Sequence, residues 1–411
     1  MLFSISTSLL LGSIAGYGYL KSNGVTNDAE KIQRIFANAG WVKKEKGEIK
    51  TIRLRRRRKI ENGMEYVYQL PLGFDRKEID TDLLVDGLNT KKIAFDLTKV
   101  KFNKDILKQI KQLKGVKANK QVELDFDGML KIRVYENDLG KFEWSDDLLK
   151  GGWKVPVGNT KQGKTIYHDF DKRKHLIVAG ATGFGKSVAM KMMITSLIMN
   201  KPDNVTFSLI DLKGGPAFAR FKKAKQVIEF GTDNKEALQI INDVQERMNE
   251  DYKKIVDGGY EDVIEAGITK RHFIIVDEAA DLADEKEALR ILTDIVRKGR
   301  GAGYYVIYAT QYPTAEAIPM QIKRNIPARL CYVVDSSTAS TVVLDGAGAE
   351  SLPEIPGRGI YKNVKQIILQ TPFMSNEQIK ERIMPYEEEK NELSSPTPTE
   401  DRKHALITEK A

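Results

Sequence analysis

The stretch Gly180-Ala181-Thr182-Gly183-Phe184-Gly185-Lys186-Ser187 restricts the fold of this chain more than any other. It satisfies G-x-x-x-x-G-K-[ST] without a mismatch. Glycines belong at such positions because backbone N–H groups must close around a polyphosphate where a Cβ would collide. Lys186 then reaches the β- and γ-phosphates, and the Ser187 hydroxyl ligates Mg²⁺. The flanks agree with this reading. His175-Leu176-Ile177-Val178-Ala179 reads as a short buried strand, and residues 188–199 read as an apolar-rich helix whose N-terminus faces the anion. ATP with Mg²⁺ is the ligand this arrangement predicts.

Downstream, strands and helices alternate. Val205-Thr206-Phe207-Ser208-Leu209-Ile210-Asp211, the run from Arg271 to Glu278, and Tyr304-Tyr305-Val306-Ile307-Tyr308-Ala309-Thr310 read as strands, with helices over residues 233–257 and 287–298. That order predicts an α/β fold with a parallel, doubly wound sheet. Phe273-Ile274-Ile275-Val276 ends in Asp277 and Glu278. A buried strand ending in Asp places that carboxylate beside Mg²⁺ at the sheet's C-terminal edge, and the next acid is positioned to act as a general base on water. Gln311 closes the third strand, where an amide senses the γ-phosphate or orients the water. Arg297, Arg300, Arg324 and Arg329 are candidates for a cationic finger offered to a neighbouring subunit, with Arg300 and Arg329 preferred.

The part of the chain ahead of the loop is different. Of 411 residues, 66 are Lys or Arg and 57 are Asp or Glu; residues 21–150 hold 29 of those bases and 21 of those acids, so nearly all of the +9 net charge lies there. Such a surplus suits a polyanion, either nucleic acid or an anionic membrane face. Its densest run is Arg53-Leu54-Arg55-Arg56-Arg57-Arg58-Lys59, followed by a hairpin signal at Glu61-Asn62-Gly63 and the alternating Met64-Glu65-Tyr66-Val67-Tyr68. A short helix is expected over 27–39 and an amphipathic, lysine-faced helix over 101–120. Residues 2–20 carry no charge and are long enough to cross a hydrocarbon core. Lys21, Lys31 and Arg34 follow that run rather than precede it. This argues for a single anchor rather than a cleaved signal, with the ATP-binding part in the cytoplasm. The lone Cys331 rules out a disulfide framework within the chain and fits a reducing compartment. The predicted organisation is an anchor over 1–20, a basic α+β domain over 21–150, an ATPase domain over 151–386, and a polar, disordered tail over 387–411.

Beyond the loop, several blocks resemble the motor of the FtsK/SpoIIIE DNA translocases. These are Asp211-Leu212-Lys213-Gly214-Gly215, the run IIVDEAADLA from Ile274, GRGAGYYVIYATQYP from Gly299, IPMQIKRNIPAR from Ile318 and LDGAGAE from Leu344. The resemblance spans residues 153–372. It implies a RecA-like motor that assembles as a homohexamer, hydrolyses ATP between subunits and moves DNA through a pore. The chain departs from the family pattern in places. Thr341 stands where an arginine is familiar, Tyr312 follows the ATQ block where arginine is common, and only a short tail follows residue 386. A singly anchored, shortened motor of this kind resembles the coupling ATPases of Gram-positive conjugative elements, whose partners are channel proteins and a relaxase. The competing expectations are a chromosome or phage DNA pump, a protein-secretion ATPase on the same motor, and a DNA tether with an idle ATP site.

Overall fold

The computed structural model describes residues 28–45, 47–89, 120–136 and 138–387. The expected anchor, most of the lysine-faced helix and the tail after Glu387 lie outside these residues. Among the described residues no helix is long and apolar enough to cross a membrane.

The N-terminal part builds a small layered unit. The helix Asp28–Asn38 leads into a hairpin of β1 (Val42–Glu45) and β2 (Glu48–Thr51). A four-stranded antiparallel sheet follows, made of β3 (Arg53–Ile60), β4 (Gly63–Gln69), β5 (Gln121–Phe126) and β6 (Leu130–Tyr135) in the order β3-β4-β6-β5. Asn62 takes a left-handed conformation (φ 59°) in the β3–β4 turn, which an asparagine tolerates better than most residues. Alternation sends Tyr66, Tyr68, Leu130, Ile132 and Val134 to one face. There they meet Ile32 and Phe36 of the first helix and Leu84 and Leu88 of the helix Thr81–Asn89.

Residues 138–149 pack with the rest of the chain. Trp144 and Leu148 are buried in the larger core. That core surrounds ten strands: β7 (Lys154–Asn159), β8 (Thr165–Asp169), β9 (Leu176–Ala179), β10 (Val205–Asp211), β11 (Val227–Gly231), β12 (Arg271–Asp277), β13 (Tyr304–Thr310), β14 (Ala328–Tyr332), β15 (Arg358–Lys362) and β16 (Gln366–Gln370). Their order is β11-β10-β12-β13-β9-β14-β15-β16-β7-β8. The first six are mutually parallel, and the last four pair antiparallel. The sheet is therefore mixed, which corrects the expectation of a parallel one. β15–β16 and β7–β8 are joined by short connections, and a short connection between neighbouring strands allows only antiparallel pairing.

Both faces of the central strands are buried. Ile177, Ile274 and Val306 face the helices Asn234–Asp257 and Lys286–Ala302. Val178, Ile275 and Ile307 face the helices Lys186–Asn200 and Asn376–Ile383. The helix after the loop is sandwiched between sheet and helix, which explains its nearly all-round apolar sequence. Its Met190, Met192, Met193 and Leu197 are fully buried, and each contributes about 1.5–3 kcal/mol on transfer from water.

Candidate active site

The loop lies where the sequence places it, between β9 and the helix Lys186–Asn200. Its backbone is tied to the two strands flanking β9. Gly180 N–H donates to the Thr310 carbonyl (3.3 Å) and Ala181 N–H to the Val333 carbonyl (2.9 Å). Gly180 sits at φ 153°, and a Cβ there would stand 2.6 Å from the Cβ of Tyr332. Gly185 caps the helix at φ 108°. A Cβ on Gly185 would press on Gly357, whose N–H donates to the Phe184 carbonyl at 2.9 Å. The cradle is thus closed on one side by the 355–357 turn, and no larger residue fits at either glycine.

Four strands bring their C-terminal ends to this loop. Lys186 is buried and forms an ion pair with Asp277 at the end of β12, while its Nζ lies 4.0 Å from Glu278. Glu278 is buried in the left-handed conformation (φ 61°). Such a backbone costs a non-glycine residue about 1–3 kcal/mol and persists only where its surroundings over-determine it. Here they do. The carboxylate accepts from Thr310 Oγ1 (3.0 Å) and from the Gln311 N–H (3.0 and 3.2 Å), and Lys213 Nζ lies 3.2 Å away. Gln311 Oε1 in turn accepts from Thr182 Oγ1 of the loop at 2.7 Å. Asp211 ends β10 in register with Asp277 and builds the turn carrying Lys213, accepting from the N–H groups of Lys213 (3.2 Å) and Ala217 (2.7 Å). Burial and then the Glu278 charge push the neighbouring Asp281 carboxyl up from its ordinary value.

A cavity of about 480 Å³ opens beside the loop and is lined by Lys186, Ser187 and Gln311. Its far wall is apolar: Phe142, Ile355, Pro356, Pro372 and Phe373. Phe142 and Phe373 are laced together, since the Phe373 N–H donates to the Phe142 carbonyl at 2.7 Å. A phosphate cradle beside an apolar slot fits a nucleoside triphosphate. Ser187, which lines this cavity, and Asp277, paired with Lys186, are the oxygen donors that could hold a Mg²⁺.

The structure therefore gathers Gly180 to Ser187, Asp277, Glu278 and Gln311 into one site. The arginines fall elsewhere. Arg300 is exposed on the last turn of the helix Lys286–Ala302, on the sheet edge away from the loop; it stands near His175 just ahead of β9, whose imidazole is pushed down by burial first and then by the Lys174 and Arg300 charges. Arg329 is buried in β14. It is ion-paired with Asp345 and donates to the carbonyls of Val343 (3.0 Å), Lys323 (3.3 Å) and Ile326 (3.4 Å). Its guanidinium is engaged at both ends inside its own subunit, so the finger role expected of it does not fit. The Lys213–Glu278 contact and the apolar wall had no sequence signal of their own, apart from the Pro356-Gly357 turn.

Comparison with known proteins agrees with this geometry. Residues 140–270 match the FtsK/SpoIIIE family. The DNA translocase FtsK of Leptospira interrogans is 33% identical over 256 residues, covering 56% of this chain and 26% of that protein. That of Lactiplantibacillus plantarum is 32% identical over 252 residues, covering 56% and 31%. The chain thus spans a quarter to a third of the length of these relatives. Among solved structures, the pCW3 conjugation coupling protein TcpA, in monomer form with ATPγS, superposes with a TM-score of 0.58 at 20% identity, over 87% of this chain and 99% of that one. The type VII secretion ATPase EccC of Thermomonospora curvata does so with a TM-score of 0.52 at 20% identity, over 59% and 32%. At such identities the likeness speaks to the fold alone, a P-loop α/β fold. The chain carries an FtsK/SpoIIIE-family domain.

Proposed function

We propose that this protein is an ATP-driven DNA translocase, anchored in the cell membrane by residues 2–20, that delivers mobile-element DNA to a conjugation channel. The observation that carries the reading is the convergence of Lys186, Asp277, Glu278 and Gln311 on one loop inside an FtsK/SpoIIIE-family domain. The conjugation role is supported by the likeness in fold to a coupling protein over 99% of its solved chain.

In this mechanism Mg²⁺ supplies charge neutralisation on the β- and γ-phosphates. The loop N–H groups and Lys186 bind the phosphates, and Ser187 and Asp277 are the residues that would hold the metal. Glu278 takes a proton from water as the water oxygen bonds to the γ-phosphorus and ADP leaves. Thr182 and Gln311 link the loop to that carboxylate, so a change at the γ-phosphate reaches the Tyr312–Pro313 turn that follows. The apolar wall holds the base. A homohexamer, with an exposed cation such as Arg300 serving a neighbour's site, completes the proposal.

The test is ATP hydrolysis by the full chain in detergent, alone and with single-stranded DNA, duplex DNA or a basic protein. Stimulation by either DNA supports the translocase and identifies the form gripped. Stimulation only by a protein moves the reading to secretion, which the likeness to EccC favours. Turnover unaffected by any polymer overturns it.

A further inference from the structure

The ATP site leaves the arginine run unused, and its position in the fold says what it is for. β3 is the outer strand of the small sheet, paired on one side only. All six of its cations, Arg53, Arg55, Arg56, Arg57, Arg58 and Lys59, are exposed. Two are satisfied internally. Arg58 pairs with buried Glu65 at 3.2 Å, and Arg55 donates to Gln69 at 2.8 Å. The acids on the same face belong to the neighbouring strands: Arg133 takes Glu65 (3.1 Å), Glu123 (3.4 Å) and Asp125 (2.9 Å). Among the described residues, Arg53, Arg56, Arg57 and Lys59 have no acidic partner. Like charges held this close need a counter-charge from outside.

We infer that β3 is a binding edge for a nucleic-acid strand, laid along the small unit and separate from the motor's own DNA contacts. The register sets the shape of the charge. A bulge between Leu54 and Arg56 shifts the pairing, after which Arg56 and Arg58 stand opposite Val67 and Glu65, while Arg57 and Lys59 stand opposite Tyr66 and Met64. Cations therefore fan to both faces of one edge and form a line rather than a plane. From Arg53 to Lys59 the line runs about 20 Å at roughly 3.3 Å per residue. That is about the rise of six nucleotides at 3.4 Å each. A bilayer surface would meet only one face of the fan. No large apolar side chain of the strand is exposed to enter a bilayer either. A phosphodiester backbone meets the whole line, and guanidinium groups suit it by bidentate hydrogen bonding.

This inference rests on the translocase reading only in taking DNA as the ligand. The test compares the full chain with the triple variant Arg53→Ala/Arg56→Ala/Arg57→Ala and with the corresponding triple lysine variant. Binding of a labelled single-stranded oligonucleotide and of its duplex is followed by anisotropy across a salt series. Flotation with vesicles containing phosphatidylserine is the second arm. Three lost phosphate contacts lower the slope of log affinity against log salt by about 2–3. The lysine variant keeps most of the slope, and ATP turnover without DNA stays unchanged. Equal affinity and slope in the alanine variant overturn the inference and leave the motor reading intact. Loss of vesicle binding with DNA binding unchanged reassigns the edge to lipid. Failure of the unaltered chain to bind either DNA overturns both readings.

Discussion

Glu278 shows how much of this site is decided by single side chains. Thr310, Gln311 and Lys213 hold its carboxylate from two different strand ends, against a backbone angle that favours glycine. Glu278→Gln keeps an acceptor for the Gln311 N–H and cannot take a proton. Its expected signature is ATP affinity within a few-fold of the parent and turnover lower by about 10²–10⁴; turnover near the parent value in a steady-state assay would remove Glu278 from the base role. Lys186→Ala takes away both the phosphate ligand and the partner of buried Asp277. Calorimetry is expected to register the loss of MgATP binding together with the loss of turnover, since an unpaired buried charge also disfavours the folded loop. The residues behind these expectations were legible because each motif is short and local: a glycine loop, an apolar strand ending in two acids, an amide at a strand end. Lys213 was not, because its contact with Glu278 depends on β10 and β12 being neighbours. Arg329 misled for the opposite reason. As a sequence it is a cation near a strand, and only the packing shows it enclosed by Asp345 and three carbonyls.

At the level of elements, the antiparallel half of the sheet is what the alternation of strands and helices concealed. β12 and β13 are seven-residue strands buried throughout and stand out in the sequence, whereas β7, β8, β15 and β16 are only five or six residues long and mix polar with apolar residues. They matter because they tie residues 138–149 to the motor. Arg358, at the start of β15, is almost fully buried. It donates to both oxygens of Asp138 at 3.0 Å, to the Leu139 carbonyl at 2.8 Å and to Gln370 at 3.1 Å. Removing one partner of a buried pair strands the other. Arg358→Met is therefore expected to lower unfolding free energy by about 3–5 kcal/mol. Urea unfolding measures it, and a loss below about 1 kcal/mol would mean that the segment is held by Trp144 and Leu148 instead. The small unit was more transparent to sequence reading. The helix expected over 27–39 forms as Asp28–Asn38, and the hairpin about Glu61-Asn62 forms as its alternation predicts.

The whole molecule carries an acid sensitivity that no single element explains. His168, His175 and His272 are buried, and burial pushes each imidazole down to about 3. The unfolded chain protonates near 6.5, so between pH 6.5 and 3 it binds protons that the fold refuses. Stability is unaffected above that window and falls as pH drops through it, by up to about 1.4 kcal/mol per pH unit for each histidine. Asp345 adds to the fall at its lower end. Lys323, Lys362 and Arg329 outweigh its burial and hold its carboxyl well below the usual range, so its stabilisation is present above about pH 4 and fades as pH falls further. Denaturant midpoints at pH 7, 6 and 5 are expected to decline steadily, and less steeply in His272→Gln; a flat profile would contradict the burial of the three rings. The closing turn at 355–357 has a consequence for synthesis. The loop leaves the ribosome roughly 170 residues before the turn that walls it, an interval on the order of ten to thirty seconds at ordinary elongation rates. Through that interval the nascent chain displays a phosphate loop open on the side that the turn will wall, so a complete cradle waits on the segment that leads into the last strands of the sheet.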